Sequence, residues 1–265
     1  MEYFSIGRVF SRAFGIIRDT ATSVGLFILI IVLIEAAISY LAQSAMMGNL
    51  SQIMSSAGRF DFDGLTASLI SLGSVAGLVI MGIAWAGGVG GMLKYAQTGA
   101  VSLQDCVEAA IAKFLPVLAV IVLYWIGFAI GWLFIIVPGV ILACMWAVSV
   151  PAQLAEGLGV FEAFGRSRDL TRGNRLSIFG ILLILIIVYY VVSFVVMGSM
   201  FSMGTFTGPT DMDDIERFSQ IGILISLPLG WITGMVIKAF VTALYLETVA
   251  VKGGGTATHV AGVFD

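Results

Sequence analysis

Apolar runs of membrane-spanning length follow one another along this sequence. Residues 177–201 contain no charged side chain, and residues 115–157 contain only Glu156. A transmembrane helix needs about 20 predominantly apolar residues, and backbone amides in lipid must bond within their own segment. Barrel strands would alternate polar and apolar residues, and these runs do not alternate. The sequence therefore predicts an all-α integral membrane protein.

Composition agrees with this class. Of the 265 residues, 59% are hydrophobic and 11% are charged, and the mean hydropathy is +1.06. Soluble domains carry about 25% charged residues. The formal net charge of -3 says little about partners, because the placement of charge matters more than its sum in a membrane protein. Nothing in the sequence indicates nucleic-acid binding.

The apolar runs divide into six predicted spans, at about 24–46, 69–97, 115–136, 139–156, 177–201 and 221–250. Val137-Pro138-Gly139 separates the third span from the fourth, because proline ends a helix and glycine permits a tight turn. A bent re-entrant pair is the alternative for residues 115–157. The polar segments 48–66 and 204–216 are predicted loops, Pro228 is expected to kink the sixth span, and 253–265 is predicted to be a flexible cytoplasmic tail.

Three short amphipathic helices are predicted at about 2–19, 102–114 and 158–170, each ahead of an apolar run. The first has the i, i+3, i+4, i+7 spacing of one apolar face. That face holds Ile6, Val9, Phe10, Ala13, Phe14 and Ile17. The opposite face holds Arg8, Ser11, Arg12 and Arg18. These helices are expected to lie in the membrane interface.

The amphipathic segments resemble one another. The segments Ala13-Phe14-Gly15 and Arg18-Asp19 recur 150 residues later as Ala163-Phe164-Gly165 and Arg168-Asp169. A shift of 97 residues places small or apolar residues on the apolar face of the second helix. Such short matches could arise by chance, but they fall where an amphipathic helix meets a span. The predicted fold is six transmembrane helices arranged as three repeats of an interfacial helix and a transmembrane hairpin.

Basic residues indicate the orientation. Ten of the Lys and Arg residues lie in the N-terminal helix, in the connections from even-numbered to odd-numbered spans or in the tail, whereas the long loops hold only Arg59 and Arg217. Cytoplasmic segments carry an excess of Lys and Arg. Both termini are therefore predicted to be cytoplasmic, and the three surface helices share that face.

The glycine run Gly87-Gly88-Val89-Gly90-Gly91 lies inside the second span. A phosphate-binding loop would need a preceding strand and a following Lys-Ser/Thr pair, and both are missing from the sequence. Small residues let transmembrane helices approach closely. We therefore predict that this run is a helix-packing surface.

A basic cluster precedes the fifth span, formed by Arg166, Arg168, Arg172 and Arg175. These residues are candidate contacts for anionic lipid headgroups, and each cation near such a surface contributes about 1 kcal/mol. A generic positive-inside anchor and a specific lipid or partner site are both consistent with the pattern.

Glu35 and Lys238 are the two charges near the middle of spans. At 1.5 Å per residue they lie about 20 Å and about 15 Å from the cytoplasmic edge. An unpaired charge at that depth is expected to face a partner or water, so we predict that the first and sixth spans are neighbours and that these residues form an ion pair. The alternative is a protonated Glu35 with Lys238 snorkelling towards the cytoplasmic headgroups.

Catalytic and metal-binding motifs are missing from the sequence. There is no HExxH, no Cys-His couple and no Walker loop, and the one histidine, His259, lies in the predicted tail. Cys106 and Cys144 are expected to be inert free thiols, because one is predicted on a cytoplasmic helix and the other inside a span. No catalytic, cofactor or metal site is predicted.

One segment resembles a known family. The residues that carry the resemblance precede an apolar span and are Glu156, Glu162-Ala163, Arg166-Ser167-Arg168, Leu170-Thr171 and Gly173-Asn174-Arg175. They are similar to the hallmark segment of the bacterial glycerophosphoryl diester phosphodiesterase membrane-domain family and of YciC-like inner-membrane proteins. The resemblance implies a multi-span domain of the bacterial cytoplasmic membrane with no established activity of its own. The fused phosphodiesterase domain that some members carry has no room in this chain.

The predicted function is that of a non-enzymatic, lipid-interacting structural or accessory protein at the cytoplasmic leaflet. The alternative is a transporter or channel for a lipid or small amphiphile, and a one-sided cavity at mid-membrane depth would favour it. Anionic membrane lipids are the expected partners, and a membrane-protein partner or a homo-oligomer is left open. No cofactor is expected.

Overall fold

The computed structural model describes residues 3–55, 72–134, 136–200 and 212–252. These residues are helical apart from short connections, and none of them lies in a strand. The helices are α1 (Ile6–Thr20), α2 (Ser23–Ser55), α3 (Leu72–Thr98), α4 (Leu103–Phe134), α5 (Ile136–Met145), α6 (Ser149–Glu156), α7 (Val160–Thr171), α8 (Arg175–Met200) and α9 (Met212–Lys252).

Six segments of the described chain are long and apolar enough to cross a membrane. They are Ser23–Leu41, Val75–Thr98, Leu103–Leu133, Val137–Glu156, Arg175–Val195 and Leu224–Lys252. The apolar side chains of α8 cover its outer surface, and Tyr190, Phe194 and Val195 are exposed. Together with its length of membrane-spanning size, such an exposed apolar surface is typical of a helix that faces lipid. The prediction of an all-helical membrane protein with six spans is confirmed.

Polar contacts join the ends of several helices at one end of the bundle. The Tyr95 hydroxyl on α3 donates to Asp19 Oδ2 on α1 at 2.6 Å. Near the end of α9, Glu247 accepts from Arg8 Nε on α1 at 2.8 Å. The start of the described chain and the end of α9 therefore lie together. This arrangement is consistent with an even number of spans, which places both ends of the chain on the same side of a membrane.

The start of α4 differs from its prediction. A separate interfacial helix at 102–114 was expected, but α4 is one continuous helix through Pro116. The apolar residues buried before and after the proline lie along one side of the helix, and they are Cys106, Ala110, Val117, Val120 and Ile121. Because both halves pack with the same side, a continuous helix buries more apolar surface than a bent one, and only one backbone donor is missing.

The hairpin between the third and fourth spans is present, because α4 ends at Phe134, α5 begins at Ile136, and the two helices pack against each other. Pro138 is the third residue of α5, a position where a backbone N–H has no helical acceptor to lose. Gly131 on α4 faces Gly139 on α5, and a Cβ atom on Gly131 would lie 2.8 Å from Gly139 Cα. The predicted helix break at Pro138 is therefore displaced to the residues just before it.

The fourth span is interrupted, although one helix over 139–156 was predicted. α5 ends at Met145 and α6 begins at Ser149. An unbroken helix would set the Pro151 ring against the carbonyl of Ala147, which accounts for a break before this proline. Ser167 on α7 fills the gap, because its hydroxyl donates to the Met145 carbonyl at 2.9 Å and accepts from Val148 N–H at 3.3 Å.

Two helices extend into segments that were predicted to be loops. α2 continues to Ser55, inside the predicted loop 48–66, and α9 begins at Met212, inside the predicted loop 204–216. α9 also continues through Pro228 as one helix. The remainder of both predicted loops and the predicted tail 253–265 lie outside the described residues.

Candidate functional site

The first and sixth spans, α2 and α9, are neighbours, as predicted. Trp231 Nε1 on α9 donates to the Gly25 carbonyl on α2 at 2.7 Å. A Cβ atom on Gly234 would lie 3.1 Å from Ile28 Cγ2, so the two helices approach closely at this level. Small residues at a crossing permit such contact.

A cavity of about 600 Å³ lies between α2, α3 and α9. Apolar side chains form most of its wall, among them Ile31, Leu78 and Met81. The polar side chains that reach it are Glu35, Ser39, Ser226 and Lys238. Both of the predicted intramembrane charges therefore lie on one cavity.

Lys238 is fitted closely into the wall of this cavity. The residue is 7% exposed, and its Nζ atom lies 3.4 Å from the Gly234 carbonyl and 5.4 Å from the centroid of the Trp85 ring. A Cβ atom on Gly88 would lie 2.5 Å from Lys238 Cδ, so the glycine makes room for the side chain. The aromatic ring partly replaces the lost hydration of the ammonium group.

Glu35 is exposed and lines the same cavity. The ion pairs within 4.0 Å among the described residues do not include Glu35 with Lys238. The predicted direct pair is therefore not formed in this structure. Lys238 Nζ contacts the Gly234 carbonyl, so the side chain points away from the end of α9 that carries Glu247, and the predicted snorkelling towards cytoplasmic headgroups stays a prediction.

The predicted basic cluster divides into residues with different environments. Arg166 Nε lies 2.9 Å and 2.8 Å from the two carboxylate oxygens of Glu156 at the end of α6. Glu156 also accepts from the Tyr245 hydroxyl at 3.0 Å, so this carboxylate joins α6, α7 and α9. Arg166 is therefore paired with a carboxylate of the protein, although its side chain is 41% exposed. Arg175 begins α8, and its Nε is buried with no hydrogen-bond partner among the described residues.

Arg168 lies on the outer side of α7, and Arg172 is the exposed residue directly after the helix, where the backbone becomes extended. Phe161, Gly165 and Arg168 share an exposed stripe at the i, i+4, i+7 spacing of one helix face. Phe161 is 80% exposed. The opposite side of the helix is buried and consists of Ala163, Ser167, Leu170 and Thr171.

The sequence analysis missed the role of Glu247. This carboxylate is completely buried, and it accepts from Arg8 Nε at 2.8 Å and from Ser5 N–H at 3.2 Å. Arg12 Nη1 lies 3.3 Å from the other oxygen, as a charge contact without hydrogen-bond geometry. Arg8 and Arg12, which were predicted on the face opposite the apolar one, contact Glu247 with their charged ends while their side chains remain 42% and 39% exposed. The i, i+4 spacing of these two arginines, together with an acid in the last turns of an apolar helix, was the sequence signal from which this contact could have been predicted.

Cys106 and Cys144 are both buried free thiols. Within the described part of the chain, no group of three or more His, Cys, Asp or Glu side chains could hold a metal ion.

The fold and the cavity together define a polytopic α-helical membrane protein with two charged groups on an internal cavity. The chain belongs to the family described as Domain of unknown function (DUF7847), whose model matches residues 5–248. No curated protein and no solved structure matches the chain. The resemblance to the glycerophosphoryl diester phosphodiesterase membrane-domain family stays a prediction.

Proposed function

We propose that this protein is a non-enzymatic membrane protein that binds anionic lipid at the cytoplasmic leaflet. The observation that carries the proposal is the exposed side of α7 with Phe161 and Arg168, which the exposed Arg172 follows directly after the helix. Interfacial helices combine aromatic side chains that enter the acyl boundary with cations that meet the headgroups. Both arginines are free of ion pairs with other described residues.

The way α7 is held supports this proposal. Its buried side closes the break between α5 and α6 through Ser167, and Thr171 Oγ1 donates to the same Met145 carbonyl at 3.3 Å. Because these contacts hold the buried side of α7 in place, the exposed side is already ordered before a lipid binds. Two cations near an anionic surface contribute about 2 kcal/mol together.

The proposal requires the α7 end of the bundle to face the cytoplasm. We expect reporters fused after Asp19, Gln97 and Gly157, and at the C-terminus, to report a cytoplasmic location, and reporters near Phe60 and Asp211 to report the opposite side. The basic residues of the sequence favour this orientation. A report from the opposite side at Gly157 would contradict the orientation and the hairpin of α4 and α5.

Substitution of the exposed arginines tests the lipid contact. Arg168→Gln and Arg172→Gln should each weaken binding of phosphatidylglycerol by roughly fivefold, the equivalent of about 1 kcal/mol. Lysine at either position should leave binding nearly unchanged if the arginines act as generic charge. Binding is measured by native mass spectrometry of the detergent-solubilised protein at a series of lipid concentrations.

Arg166→Gln is the matched control for these variants. It removes a cation from the same helix, but one that is engaged by Glu156, so it should lower thermal stability and leave lipid binding close to that of the unchanged protein. Equal loss of lipid binding in all three glutamine variants would contradict the assignment to the exposed stripe. A large loss from Arg168→Lys alone would replace the generic anchor with a site that needs guanidinium geometry.

The cavity favours a second candidate function, transport of a lipid or small amphiphile. Its walls come from three spans, and Glu35 and Lys238 both reach it. Ionisable residues inside a bundle commonly line substrate pathways. Uptake or flipping of a labelled lipid in reconstituted vesicles would support this candidate, and rates no higher than those of protein-free vesicles would contradict it.

A further inference from the structure

We propose that the cavity between α2, α3 and α9 binds the headgroup of a zwitterionic amphiphile, with the anionic group of the ligand on Lys238 and its ammonium group on Glu35. This inference rests on the second candidate function and names the class of ligand for that cavity. It is independent of the lipid contact made by Arg168 and Arg172.

Lys238 supplies the anion-binding half of the site. An ammonium group has three donors, and the one acceptor that Lys238 Nζ reaches among the described residues is the Gly234 carbonyl, at 3.4 Å. The residue is more than nine-tenths buried. The contact of its Nζ atom with Trp85 stabilises the cation without satisfying its other donors. A bound carboxylate or phosphate would supply the missing acceptors.

Glu35 supplies the cation-binding half. It lies on the same cavity, yet it is not within ion-pair distance of Lys238 among the described residues. A ligand of a single charge sign would pair with one of these residues and leave the other unpaired in an apolar setting, which is costly. A zwitterion pairs with both, and the complex remains neutral overall.

The dimensions and walls of the cavity fit such a ligand. Pockets for small molecules range over about 300–1,000 Å³, and this cavity of about 600 Å³ lies within that range. Ser39 and Ser226 add neutral polar groups, and the remaining wall is apolar enough to contact an acyl chain. The occupant is therefore an amphiphile and not a fully polar solute.

The test uses the full chain purified in a maltoside detergent and three probes with the same 14-carbon chain. The zwitterionic probe is lysophosphatidylethanolamine, the anionic probe is tetradecanoate and the cationic probe is tetradecylamine. We expect the zwitterionic probe to bind most tightly, measured by thermal shift and native mass spectrometry. Glu35→Gln and Lys238→Met should each weaken its binding by roughly 30-fold. Binding of tetradecanoate should be weakened by Lys238→Met but not by Glu35→Gln.

Gly77→Leu provides a variant that leaves both charges in place. Gly77 lines the cavity, and a Cβ atom added there meets no other atom within 4 Å, so leucine should fold normally while filling the space. This variant should abolish binding of all three probes without lowering the melting temperature. Glu108→Gln and Lys113→Met change exposed charges on α4 and should bind like the unchanged protein.

The first two outcomes below would overturn the proposal, and the last two would overturn the transport candidate alone. Binding of tetradecanoate as tight as that of the zwitterion, with Glu35→Gln silent, would mean a simple anion site. If the protein melts cooperatively but binds none of the three probes, Glu35 and Lys238 interact with each other and do not bind a ligand. Tight binding of the zwitterion without transport in vesicles would retain the site and remove the transporter. Transport that survives Gly77→Leu would place the pathway elsewhere.

Discussion

Replacing Arg8 and Arg12 with methionine should destabilise the protein by about 3–5 kcal/mol, because it leaves the buried Glu247 carboxylate without a cation. The carboxylate is completely buried, whereas the arginine side chains are 42% and 39% exposed. Glu247→Gln should cost less, about 1–3 kcal/mol, because water can solvate both arginines and the amide oxygen can still accept from Ser5 N–H. The measurement is thermal or denaturant unfolding in detergent micelles.

The triple variant with all three substitutions controls for lost packing of the arginine stems. It removes the stranded charge, so its stability should exceed that of the double arginine variant. Arg8 also donates to the Tyr3 carbonyl, and that contact is lost equally in the double and triple variants. If Glu247→Gln and the double arginine variant lower the free energy of unfolding equally, the expected difference between losing the carboxylate and losing its cations is contradicted. Such a result would mean that Glu247 is not held as a buried anion.

Gly87→Ala should destabilise the protein by about 3 kcal/mol, although alanine is the better helix former. Gly87 faces α4, and an added Cβ atom would lie 2.7 Å from the Cys106 carbonyl oxygen and would overlap the Phe27 ring. The carbonyl belongs to backbone and cannot rotate away, so α3 and α4 must separate. Overpacking of this kind typically costs about 1–3 kcal/mol or more.

Gly77→Ala is the matched control on the same helix. Its Cβ atom would meet nothing within 4 Å, so the substitution should stabilise the protein by up to about 1 kcal/mol through reduced backbone entropy. Both variants are compared by thermal unfolding in the same detergent. Similar melting temperatures for the two alanine variants would show that Gly87 is not a close-packing position.

The sequence by itself determined the class of the protein and the number of spans. An apolar run longer than about 20 residues has few alternatives to a transmembrane helix, because backbone groups in lipid have no other partners. The packing role of the Gly87-Gly88-Val89-Gly90-Gly91 run could also be predicted. A glycine has no side chain, so it allows two helices to approach closely wherever they cross. The neighbouring positions of α2 and α9 followed from the cost of isolated charges at mid-membrane depth.

Other features depended on contacts between residues far apart in sequence. Pro116 and Pro151 are both prolines within apolar runs, yet the helix continues through the first and is broken before the second. The side of α4 around Pro116 packs as one surface, while Ser167 from α7 supplies partners for the interruption before Pro151. A local pattern cannot distinguish these outcomes, because the compensating groups come from another helix.

The environments of the arginines also depended on contacts between residues far apart in sequence. Arg8, Arg12, Arg166 and Arg168 look alike as basic residues of amphipathic helices. The first three are engaged by Glu247 and Glu156, and Arg168 is exposed. Sequence sets how much charge a helix carries and at what spacing. Only the tertiary structure decides which charge meets a buried carboxylate, because that depends on how the helix is rotated against its neighbours and on the large free energy of leaving a buried charge unpaired.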